Sequence, residues 1–79
     1  MSKEIASKVF ANYKELVKLN KQAEAKMLQL LLHPECTDEM ALQVIRARRE
    51  ATAQMAKVRE QVRQAMYKGG MVLEANLYF

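Results

Sequence analysis

The chain has 79 residues, a single cysteine, a single histidine, and 13 Lys and Arg against 9 Asp and Glu, for a formal net charge of +4. One small domain is the most this length holds, and a core of that size is marginal unless a disulfide, a metal or a neighbouring chain supports it. With only Cys36 an internal disulfide is excluded, with only His33 a structural zinc is disfavoured, and association is the support that remains.

The N-terminal Met-Ser-Lys-Glu has no apolar core of a secretory signal. No unbroken apolar run is longer than that of Leu30–Leu32, far from the roughly 18–20 residues a membrane span needs. A cytoplasmic protein is the expectation, and one unpaired thiol agrees with a reducing compartment.

Ser2 is placed to cap a first helix, with Glu4 in its first turn to favour the helix dipole. From Lys3 to Leu32 there is no Gly or Pro, and good helix formers dominate. Pro34 disfavours helical geometry at His33 and stops the helix. Residues 33–37 are the turn. Thr37 caps a second helix over 38–68, with Asp38 and Glu39 in its first turn and Lys68-Gly69-Gly70 as its stop. The connection is short enough to force the helices antiparallel. Residues 1–70 therefore form one hairpin unit. Residues 71–79 are a short apolar tail, with Met71 available for a hydrophobic contact after the helix end. Glu74-Ala75-Asn76-Leu77-Tyr78-Phe79 resembles the tobacco etch virus protease recognition site, with Ala75 interposed and without the final Gln. Native sequence and a remnant of an appended site both stay open for it, and no function is taken from it.

The faces follow from a turn of 100° per residue. On helix 1, Ile5, Val9, Leu16, Ala23, Met27 and Leu30 form one seam. Tyr13, Leu31, Ala6, Val17, Phe10 and Leu28 then extend the apolar arc to about 120° on one side only. That is about twice the width one partner helix covers. On helix 2, Val44, Ala51, Met55, Val62 and Met66 face the seam, and Ile45, Arg48, Arg59 and Arg63 lie on the flank. In an antiparallel hairpin these flanks fall on the same side and make a second apolar strip. Phe10, Tyr13, Val17, Leu28, Leu31, Ile45, Arg59 and Arg63 are its candidate partner-binding residues. An aligned strip of this length marks an interface, unless the tail folds back over it or it is simply exposed. The small residues Ala23, Ala47 and Ala51 share one level and allow close helix approach there.

Other chemistry is thin. The turn gathers His33, Glu35, Cys36, Asp38 and Glu39, but a nucleophilic cysteine needs a base and an oxyanion hole, and one loop offers no rigid scaffold for them. Glu24 falls at the level of Arg48 and can pair with it, whereas Arg59 and Arg63 have no obvious acid within the hairpin. Helix 1 (residues 1–32) and helix 2 each carry a net +3, so charge counted this way is spread over both helices, which argues against nucleic acid. No phosphate-binding Gly loop, paired catalytic carboxylates or Ser/His/Asp set is present. The expectation is an all-α antiparallel two-helix hairpin that self-associates into a four-helix bundle. It is not an enzyme and holds no cofactor or metal. It acts as a protein-interaction module (adaptor, chaperone or assembly subunit) whose partner is another protein or a second copy of itself. Small helical-hairpin chaperones and rod subunits of type III secretion systems are similar in architecture, though no motif is shared. The alternative is a dimeric four-helix regulator of nucleic acid that uses the Arg and Lys rows.

Overall fold

The computed structural model describes residues 2–79; Met1, the first residue of the expected hairpin unit, lies outside them. The described residues form three helices and no strand: α1 (Lys3–Leu31), α2 (Asp38–Lys68) and α3 (Val72–Tyr78). The first two fall where the sequence places them, with α1 ending one residue early. Ser2 Oγ accepts the Ile5 N–H at 3.2 Å, and Thr37 Oγ1 accepts that of Met40 at 3.2 Å. Each cap satisfies one of the amide groups a helix start leaves without an intrahelical partner. Between the helices His33-Pro34-Glu35-Cys36 closes a turn, with the Cys36 N–H donating to the His33 carbonyl at 3.0 Å. Pro34 sits at its second position, where a fixed φ is an advantage.

α2 ends as the two glycines require. The Met71 N–H donates to the Met66 carbonyl at 2.8 Å and the Gly70 N–H to that of Tyr67 at 3.1 Å. Gly70 has a φ of 79°. That is a Schellman ending, in which a left-handed residue closes the last turn and the residue after it packs back. Met71 is buried, as the expected contact requires.

α1 and α2 pack as an antiparallel hairpin. Ala6 near the start of α1 meets Gly69 at the end of α2, and Glu24 meets Arg48 further along. The buried residues are Gly69 and the hydrophobic Ala6, Tyr13, Val62, Met66, Met71 and Ala75. All of them belong to the open end, where the chain termini lie. From Lys14 to Gln61, through the whole turn half, no residue is buried. The radius of gyration is 16.3 Å, against roughly 12 Å for a compact domain of this length. The molecule is a rod of 50 × 18 × 16 Å with a core at one end.

The segment 71–79, which the sequence marks only as an apolar tail, is helical and belongs to that core. Ala75 is fully buried, Tyr67 donates its hydroxyl proton to Asn76 Oδ1 at 2.6 Å, and the Ser7 hydroxyl points at the Met71 sulfur at 3.5 Å. Seven residues are far too few for a stable helix in isolation. α3 is held by what it packs against, which explains why local sequence does not announce it.

Candidate functional site

Phe10 and Leu28 are 18 residues apart on α1, and Ile45 and Arg63 are 18 apart on α2. Eighteen residues are five full turns, so each pair shares one bearing about 27 Å apart. The strip therefore runs along one flank from the open end to the turn, and the two ends differ sharply.

At the open end the strip is covered. Tyr78 stands edge-on to Phe10 (centroids 5.0 Å apart) and to Tyr13 (6.2 Å), and the Phe79 ring lies 5.4 Å from that of Tyr13. Such aromatic pairs are each worth about 0.5–1.5 kcal/mol beyond the area they bury. Arg59 donates to the Phe79 carbonyl at 3.2 Å and stacks over its ring at 5.7 Å. Burial holds the Tyr13 hydroxyl pKa above its usual value, with Tyr78 adding to the rise and Arg59 opposing it. Of the candidate residues, Phe10, Tyr13 and Arg59 are thus gathered under the tail. Val17, expected outside the intramolecular packing, is half-buried against the same core. The spacing of Val17 is right; the position of the tail is what the helix wheel lacks.

Towards the turn the strip is open. Leu28 is 51% exposed, Leu32 83% and Ile45 38%, with Leu42 also exposed and Leu31 half-buried. Leu32 and Leu42 are missing from the sequence-derived set because that arc stops short of their bearing. Their signal is the density of large aliphatic residues on both sides of the turn, Leu28, Leu30, Leu31 and Leu32 before it and Met40, Leu42, Val44 and Ile45 after it. Leu30, expected in the seam, is exposed instead, and Leu19 and Met40 are exposed on that side of the hairpin too. Where Ala23, Ala47 and Ala51 share a level, a shallow apolar groove of about 280 Å³ remains, lined also by Met27 and Val44.

Arg48, Arg59 and Arg63 are engaged within the chain. Arg48 donates to Asn20 Oδ1 at 2.6 Å and pairs with Glu24 at 3.6 Å, as the levels predict. Arg63, expected without an acid, forks onto Glu60 at 2.7 and 3.1 Å. The acid lies three residues earlier on the same helix, where neighbouring side chains meet, and not across the hairpin. The Glu60 pKa is lowered by its hydrogen bonds from Arg63 and Gln64. Arg63 also lies over the Tyr67 ring at 5.6 Å, while Lys14 takes the face of Phe10 at 4.6 Å. In the turn, His33 Nδ1 accepts the Glu35 N–H at 3.1 Å, and the Cys36 thiol is directed at the Thr37 carbonyl at 3.6 Å. Each makes a local contact of its own.

No helix among the described residues is long and apolar enough to cross a membrane. Compared with protein-family models, with curated proteins and with solved structures, the chain shows no match, so its candidate site rests on the geometry of the strip.

Proposed function

We propose that this chain is a non-enzymatic protein-interaction module that binds a helical partner along the turn half of its apolar strip, completing a four-helix arrangement of the kind an adaptor, chaperone or assembly subunit uses. The observation that carries the reading is the unburied stretch from Lys14 to Gln61, which exposes Leu28, Leu32, Leu42 and Ile45 on one flank. A contiguous apolar surface of this kind on a small protein marks an interaction site. Covering a Leu or Ile side chain fully contributes roughly 1.5–3 kcal/mol.

The test is a cross-linking pull-down from the native cell with the parent and with a Leu28→Gln/Ile45→Gln variant, read by mass spectrometry. Both side chains are exposed, so the variant keeps its helicity by circular dichroism. A partner chain held by the parent and lost by the variant is the expected result. Equal capture by both would reject the strip as the site.

A further inference from the structure

Charge along this hairpin is banded by level, a pattern that counting by helix conceals. The turn end, residues 27–45, holds Glu35, Asp38 and Glu39 and no Lys or Arg, a net −3. The middle band, residues 19–26 and 46–54, holds Lys21, Lys26, Arg46, Arg48 and Arg49 against Glu24 and Glu50, a net +3. Turn end and middle cancel, and the whole +4 of the chain resides in the open end.

We infer that the occupant of the open strip is a second copy of this chain, docked antiparallel and overlapping only over the turn halves. The inference rests on the interaction reading above and names its partner. Three observations converge on it. First, in this arrangement the −3 turn end of each copy lies against the +3 middle band of the other, twice over, while a parallel arrangement sets like against like. Charge complementarity of this kind fixes register and orientation. Second, α3 closes the strip at the open end, with Tyr78 and Phe79 over Phe10 and Tyr13. The partner is therefore confined to the turn half, and the two +4 ends point outward and apart. Third, the area fits. The chain exposes 6127 Å², whereas a compact monomer of its mass exposes about 4900 Å². The excess of about 1200 Å² exceeds the roughly 800 Å² per partner that a stable complex buries.

The single cysteine makes the register measurable. A nitroxide on Cys36 of the full chain, read by double electron–electron resonance, reports the distance between the two turns. With half overlap each turn reaches the other copy's middle, and the separation is about 25–30 Å at 1.5 Å per residue and one interhelical offset. A separation near ~45 Å would mean full antiparallel overlap, and one under ~15 Å would mean turn beside turn; either overturns the inference. Sedimentation equilibrium gives the second arm. The parent is expected to be a dimer, and the Leu28→Gln/Ile45→Gln variant to associate on the order of a hundredfold more weakly or worse. A parent that stays monomeric at ~0.5 mM, where even a weak homodimer of this area associates, overturns the second copy as occupant. The pull-down then decides separately whether the strip serves a different chain.

Discussion

At Gly69 an added Cβ would collide with that of Ala6 and come within 3.1 Å of the Ser2 backbone oxygen. Nothing lies within 4 Å of a Cβ at Gly70, but its φ of 79° strains any L side chain. The two alanine variants therefore fail for different reasons. Gly69→Ala forces α1 away from α2 and is expected to cost about 1–3 kcal/mol as an overpacking change. Gly70→Ala is expected to cost about 1–2 kcal/mol from left-handed backbone alone. Adding Ala6→Gly should recover much of the first loss and none of the second, as urea titrations would reveal. Tyr13 makes a pH prediction. Its pKa is raised in the folded state, so the unfolded chain loses the proton first as pH passes about 10. Stability is then fully present at neutral pH and declines from about pH 10 upward. Tyr13→Phe should flatten that decline relative to the parent. An identical slope in both would show that Tyr13 ionises as freely folded as unfolded.

The elements differ in how far they depend on tertiary contact. α1 and α2 are legible in sequence because Ser2, Thr37, Pro34 and the glycine pair mark their ends. The apolar period also marks their faces. α3 is not legible: it has no capping side chain, and its helix exists through Ala75, Tyr78 and Phe79 meeting α1 and α2. The same blind spot reaches the site. Phe10, Tyr13 and Val17 have the right bearing for an interface, yet they lie in or against the core that α3 completes, whereas Leu28 and Ile45 remain open. Arg63 is legible as a strip-edge cation, but the acid it pairs with is Glu60, one turn away on its own helix and not across the hairpin. Removing residues 73–79 is expected to lower the melting temperature and to open an apolar surface at Phe10 and Tyr13, seen as increased binding of an apolar dye. An unchanged melt and unchanged dye binding would show that α3 does not hold the core. Core position should also rank truncations. Met66→Ala, at a fully buried site, is expected to cost about 2–5 kcal/mol. Leu16→Ala, 39% exposed, should cost clearly less, because part of that side chain is never taken out of water.

At the scale of the whole molecule, the open end has the core and the whole +4, while the turn half has no buried residue and its −3 and +3 bands cancel. Nucleic-acid binding through the +4 open end is expected to be weak, indifferent to sequence and steeply reduced by salt. Tight binding to one sequence at ~150 mM salt, lost with Arg59→Ala/Arg63→Ala, would promote that function over the one proposed. The central claim is that the turn half has no buried core within its own chain and is completed by another. Amide hydrogen exchange, read by mass spectrometry on the parent, tests it most directly. In dilute protein, amides of residues 19–54 should exchange far faster than those around Val62 and Met66. They should gain protection as concentration rises or partner is added, and the Leu28→Gln/Ile45→Gln variant should not. Protection in the turn half equal to that of the open end at high dilution, unchanged by concentration or partner, would contradict the account.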